Sequence, residues 1–237
     1  MLSSTHLVWR PSLAIKQRVL RRAVLLPVLA VAVAFSSTAS LHAQDTGQVP
    51  YAMMHKVFSR AQQVKNPKVR ALVTLQSKTK MVKPPTMVIQ AKSGPINVPI
   101  TDDGEIRSFP VTDELLKENP PVLTNQPKGT SQLVAAMEAV LPDTLTYSGR
   151  ELAQVVDVAN AEIKKQAGML SLMAPRAKAV SFQFRDGGKQ TVTINRAQPQ
   201  VLSADANGAV RVEIDKSFAA EDPKIVLSEK PAKILVN

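Results

Sequence analysis

Two stretches of this sequence carry the same turn chemistry at the same spacing, and no other feature restricts the fold as much. The first runs Asp103-Gly104-Glu105-Ile106-Arg107, then Leu116-Lys117-Glu118-Asn119-Pro120, then Pro127. The second runs Asn207-Gly208-Ala209-Val210-Arg211, then Ala220-Glu221-Asp222-Pro223, then Pro231. Gly104 lies as far from Pro127 as Gly208 does from Pro231, although the inner prolines need one compensating gap. Each stretch follows a hairpin signal, through Gly94 and through Gly187-Gly188, and each hairpin follows a helical pattern. A pattern used twice along a chain reports one structural unit used twice. The sequence therefore predicts an α+β fold: a duplicated, pseudo-symmetric unit of one helix plus about four mainly antiparallel strands. The units span 44–130 and 131–237. At roughly 90 residues each they are short enough to share one core.

Periodicity fills in the elements. Met54, Val57, Phe58, Ala61 and Val64 recur at helical spacing and predict an amphipathic helix over Tyr51–Val64, stopped by Asn66-Pro67. The polar stretch Gln44–Pro50 reads as a flexible lead-in. Strands are expected over Arg70–Gln76, Thr86–Ala91, Ile96–Thr101 and Glu105–Val111, with turns at Ser93-Gly94-Pro95 and Asp102-Asp103-Gly104 and a helical turn near Thr112–Glu118. Gln132–Leu141 has helix-forming composition in a strand-sized window between prolines. Ser148-Gly149-Arg150-Glu151 is a capping box, and the apolar stripe behind it runs from Leu152 to about Leu172, where Ala174-Pro175 ends it. Further strands are expected over Ala179–Arg185, Gln190–Asn195, Gln200–Ala204, Ala209–Ile214, Ile225–Leu227 and Ile234–Val236, the first two joined as a hairpin through Asp186-Gly187-Gly188.

Val49-Pro50-Tyr51, the Gly-x-Ile/Val-Arg strands followed by Asn/Asp-Pro, Pro142-Asp143-x-Leu145-x-Tyr147 and Leu227-Ser228-Glu229-Lys230-Pro231 resemble a family of small exported proteobacterial proteins of unknown function. The resemblance covers nearly the whole chain after the leader. It implies that Gln132–Leu141 is a strand, and it brings no activity and no catalytic residues.

The first 43 residues read as an export signal. Arg10, Lys16, Arg18, Arg21 and Arg22 stand without an acid before the apolar run Ala23–Phe35, which is too short for the ~20 residues of a membrane span. Cleavage after Ala43 is favoured, with Ala39 the alternative. Arg21-Arg22 leaves both the ordinary and the twin-arginine export routes open. The expected location is periplasmic or secreted. Gln44–Asn237 then holds 25 basic and 19 acidic side chains, no tryptophan and one histidine, His55.

Much chemistry lacks its residues. The absence of cysteine excludes disulfides, thiolate metal sites and a cysteine nucleophile. One histidine on an amphipathic helix is a poor base for a serine hydrolase, and no serine–lysine dyad is expected. Asp102-Asp103-Gly104-Glu105 and Asp205-Ala206-Asn207-Gly208 are the densest oxygen clusters, and both read as turns short of a calcium ligand set. Glu118 and Asp222 hold matching places in the two copies, which suits a structural role better than paired-carboxylate hydrolysis. No phosphate loop is present and aromatic residues are few, so neither a cofactor nor nucleic acid is expected.

Charge is the remaining signal. Residues 44–92 hold nine cations and one acid, whereas 93–237 carry a net −2. Lys56, Arg60, Lys65, Lys68, Arg70, Lys78, Lys80 and Lys83 are the candidate contact surface, for lipid head groups, acidic envelope polymers or an acidic protein. The alternative is a solvated face whose lysines keep sheet edges from pairing. The function expected is non-enzymatic binding or scaffolding in the bacterial envelope. The rival readings are an inhibitor or chaperone-like module docking a protein, and a carboxylate-only hydrolase.

Overall fold

Among the described residues the hydrophobic alternation is folded into three antiparallel sheets and four helices. The computed structural model describes residues 46–167, 176–185 and 188–237. The expected leader, the expected end of the long apolar stripe (Leu170, Leu172 and Ala174-Pro175) and Asp186-Gly187 lie outside them.

With β6 grouped with its partner strand β2, although it lies beyond the expected boundary at 130, the first half runs β1 (Thr46–Pro50), α1 (Tyr51–Gln62), β2 (Val69–Ser77), β3 (Met87–Ala91), β4 (Gly94–Asn97), α2 (Asp113–Glu118), β5 (Pro121–Pro127) and β6 (Ser131–Ala139). The second runs β7 (Thr146–Ser148), α3 (Gly149–Ala167), β8 (Ala179–Gln183), β9 (Thr191–Asn195), β10 (Gln200–Ser203), β11 (Ala209–Glu213), α4 (Lys216–Glu221), β12 (Lys224–Leu227) and β13 (Lys233–Val236). One sheet is ordered β1-β5-β3-β4, another β10-β9-β12-β7, and a third of five strands β11-β8-β13-β6-β2. The α+β expectation holds, and Gln132–Leu141 is a strand: β6 pairs with β2 over nine residues, from Val69↔Ala139 to Ser77↔Ser131.

The long helices owe their starts to the short ones. Pro50 precedes α1 and offers no side-chain cap. Instead Tyr51 N donates to Pro120 O at 3.0 Å and Ala52 N to Asn119 Oδ1 at 2.8 Å. At α3, Gly149 N donates to Pro223 O and Arg150 N to Asp222 Oδ1, each at 2.8 Å. The predicted capping box adds Glu151 N to Ser148 Oγ at 3.0 Å and Ser148 N to Glu151 Oε2 at 2.8 Å. Asn119 and Asp222 hold left-handed φ of 47° and 44°, a conformation Asn and Asp accept more readily than other non-glycine residues. Asn119, one place beyond Glu118, therefore does the work that Asp222 does. Glu118 instead takes the amide of Lys92.

Buried hydrophobic side chains gather in two cores. One gathers Tyr51, Met54, Phe58, Leu75, Ile89, Phe109 and Val122, and the other Tyr147, Leu152, Val156, Phe182, Ile194, Phe218 and Ile225. Val69 and Ala139 of the first half belong to the second core, and β6 pairs with β13, so one sheet carries both. In the first core Phe109 stacks on Phe58 and Tyr51, with ring centroids 4.5 and 5.5 Å apart. The Tyr51 hydroxyl donates to Pro110 O and accepts from Thr112 N, which anchors the entry to α2.

Four local expectations need correction. Gln44–Pro50 is not all lead-in: β1 pairs with β5, and Val49 is buried. Glu105–Val111 makes only two bridges, Thr74↔Glu105 and Ile100↔Ile106, because Phe109 turns inward to stack on Phe58. The first hairpin turns at Lys92-Ser93, with Ala91 opposite Gly94. β8 and β9 form no hairpin, since β11 and β13 occupy both edges of β8 and the chain crosses to another sheet. The hairpin of the second half is β9–β10.

A methyl group on Gly149 would sit 2.4 Å from Pro223 Cδ and 2.8 Å from Phe218 O. Gly149→Ala is therefore expected to lose about 1–3 kcal/mol by overpacking, read as a fall in the urea midpoint. An unchanged midpoint would show that α3 does not start against Pro223.

Candidate functional site

The predicted cationic surface separates into three parts. Lys56 and Arg60 are exposed on α1, one turn apart, and Lys65 is exposed just beyond it. Lys68 is half-buried and donates to Gln154 Oε1 of α3 at 2.5 Å. Arg70 is taken up by acids. Lys78, Lys80 and Lys83 lie past the far end of β2. A strand rises ~3.3 Å per residue, so they stand on the order of 30 Å from Lys68 along it. Lys78, Lys80 and Lys83 therefore stand apart from Lys68 along the strand.

Residues 78–86, which join β2 to β3, are stitched to β5 by two amide side chains. Gln126 is fully buried (0% exposed); its Oε1 accepts from Val82 N and its Nε2 donates to Val82 O, both at 2.9 Å. Asn125 Oδ1 accepts from Thr86 N at 2.9 Å and from Gln126 Nε2 at 2.8 Å, while its Nδ2 donates to Pro84 O at 2.8 Å. Lys78 N donates to Thr130 O of the β5–β6 turn at 2.7 Å. A buried primary amide that satisfies both backbone groups of one residue replaces the strand partner that residue lacks. The loop thus has a fixed shape, and Lys78, Lys80 and Lys83 are exposed on it without an acidic partner among the described residues. Ala71–Thr101 contains no aspartate or glutamate at all.

Arg70 belongs to an ion network on the five-stranded sheet. Its Nη1 lies 3.2 Å from Glu105 Oε1, and its Nη2 lies 2.5 Å from Glu138 Oε2 in an ion pair without hydrogen-bond alignment. Lys233, from β13, reaches Asp103 Oδ2 at 2.6 Å and Glu105 Oε2 at 2.7 Å. The Glu105 side chain is 7% exposed, so these contacts act with little solvent screening. Burial pulls Asp103 upward, but the hydrogen bonds from Lys233 and Thr101 and the Lys233 charge outweigh it and hold the carboxyl at about 2. Glu105 is lowered in the same way: burial opposes, and Lys233 and Arg70 prevail. Glu138 is raised, chiefly by burial, against the Arg70 charge. Lys233 is raised because its bonds to Asp103 and Glu105 overcome burial. The turn weighed as a calcium site is therefore filled by a lysine of the other half.

The remaining chemistry-bearing groups have structural partners. Ser59 Oγ donates to His55 O at 2.5 Å and meets His55 Nδ1 at 3.2 Å, a pairing within one helical turn. Asp205 Oδ1 accepts from Asn207 N and Ala209 N at 2.8 and 2.9 Å, a turn closed on itself. Ser77-Lys78-Thr79-Lys80 has the Ser-x-x-Lys spacing that was not expected. That spacing brings lysine over serine only on a helix, whereas Ser77 ends a strand and its Oγ meets Thr79 Oγ1 at 3.3 Å. A groove of about 200 Å³ lies between α1, β2 and residues 106–109, floored by Phe58 and Phe109 and edged by Gln62 and Arg107. Among the described residues no group of three acids or histidines could hold a metal ion, and no helix is long and apolar enough to cross a membrane. No protein-family model, curated protein or solved structure matches the chain.

The network makes stability depend on pH in a defined direction. Asp103 and Glu105, both lowered, stabilise the fold above the ordinary carboxylate range, and that contribution is lost as pH falls from about 4 toward 2. Glu138, raised, acts oppositely, since its penalty is relieved as pH falls through its elevated value. Lys233 contributes fully below its ordinary value and loses its part as pH rises through the raised one. Lys233→Met should cost about 2–4 kcal/mol at neutral pH by taking a cation from Asp103 and leaving the buried Glu105 with Arg70 alone, and should flatten the acid limb between pH 4 and 2. Urea midpoints across pH 2–7 that stay parallel to the parent's would refute the assignment.

Proposed function

We propose that this chain is an exported, non-enzymatic α+β protein of the bacterial envelope, periplasmic or secreted, that binds an anionic envelope component. The observation that carries this reading is the 78–86 loop, which is held by Asn125 and Gln126 and presents Lys78, Lys80 and Lys83 without acidic partners among the described residues. A fixed loop loses little conformational freedom on binding, so the attraction of three cations is not spent on ordering it. The basic, acid-free segment and short apolar run before residue 44 support export. Arg70, Glu105, Glu138, Lys233 and Asp103 serve the fold, and Lys56, Arg60 and Lys65 form a separate, secondary basic surface. The two halves derive from one duplicated unit: the order β1-β5-β3-β4 parallels β7-β12-β9-β10, and Asn119 and Asp222 each cap the start of the long helix that precedes them, α1 and α3.

A second reading is favoured by the outer edge of β10. That strand ends its sheet, and Val201 on it is 62% exposed, which suits docking of an extended segment of a protein partner. Such docking would persist in high salt and fail in Val201→Lys.

Replacing Lys78, Lys80 and Lys83 together by glutamate should reduce binding to the isolated envelope fraction at least tenfold, with thermal unfolding unchanged. Binding by the parent should weaken as salt shortens the range of charge interaction. Binding that survives the triple replacement would overturn the proposal.

A further inference from the structure

The loop also differs from a simple lysine cluster. Between Lys80 and Lys83 stand Met81 and Val82, and Val82 is 42% exposed although its backbone is fully bonded to Gln126. An exposed valine standing in the chain between Lys80 and Lys83 contributes nothing to binding a soluble polyanion. It gains free energy where charged groups and hydrocarbon lie within one side-chain length of each other, at the head-group layer of a bilayer. We infer that residues 78–86 are a membrane-surface contact, in which Lys78, Lys80 and Lys83 meet the phosphates of anionic phospholipid and Val82 enters the layer beneath them. This inference rests on the anion-binding reading above and adds the source of the anion. Three observations act together: the shape is fixed by Asn125 and Gln126, the lysines have no acidic partner among the described residues, and the segment Ala71–Thr101 itself contains no acid. Each lysine near such a surface contributes on the order of a fivefold gain, so three give on the order of 10²-fold, enough for reversible attachment.

The test is co-sedimentation of the protein, purified from producing cells, with vesicles of equal parts phosphatidylglycerol and phosphatidylcholine. Phosphatidylcholine vesicles alone and immobilised polyphosphate are run beside them. The protein should sediment with the mixed vesicles and not with phosphatidylcholine alone. Val82→Asn should weaken vesicle binding about fivefold, and Val82→Trp should strengthen it, while neither changes retention on polyphosphate. The Lys78, Lys80 and Lys83 to glutamate variant should lose both. Retention on polyphosphate without vesicle binding, or vesicle binding indifferent to both Val82 variants, would overturn the lipid inference and leave anion binding standing. Failure to bind either material, or the envelope fraction, would remove both.

Discussion

The fold depends on how its two long helices begin. A helix start leaves backbone amides without partners, and neither Pro50 nor Ser148 supplies all that its helix needs. The missing acceptors come from the residues that follow the short helices, Asn119-Pro120 for α1 and Asp222-Pro223 for α3. Each such corner fixes a helix against a strand that is distant in sequence, since β5 and β12 begin directly after those prolines. The left-handed conformation of Asn119 and Asp222 is the local cost of the arrangement, and the side-chain bond offsets it.

A second constraint ties the halves together. β6 and β13 share an edge, and Lys233 extends from β13 to Asp103 and Glu105 of the other half. Three acids and two cations meet there, so the charges do not cancel. The imbalance falls on Glu138, whose carboxyl is raised while its neighbours are lowered. Arg70 is thereby withdrawn from the external surface, even though its charge counts toward the basic excess of the first third.

Much of the architecture was legible in the sequence because it is written in short-range signals. The Ser148–Glu151 capping box, the helix over α1 and most strands follow from spacing and turn residues within a few positions. Apart from the shifted Lys92-Ser93 turn, the errors share one cause, which is partners far along the chain. β1 looked like a polar lead-in because its pairing with β5 is invisible locally, and the β8–β9 hairpin failed because β11 and β13 take the edges of β8. The candidate site was half legible. Its lysines stand in plain view, but their display depends on Gln126, 44 residues from Val82, and nothing about a glutamine in a strand announces such a role. The separation of Lys68 from Lys78 could have been anticipated from strand length alone, once Arg70–Gln76 was read as extended.

The place of β13 in the five-stranded sheet also bears on the order of events in folding. Residues 233–236 form its middle strand, with β8 and β11 on one side and β6 and β2 on the other. A chain delivered amino end first holds both flanks of that sheet before the piece that joins them arrives. Until then β6 and β8 each have one open edge, and Glu105 lacks Lys233. Completion is thus timed by β13, and a protein threaded amino end first through a membrane in extended form would close this sheet only after residues 233–236 had emerged.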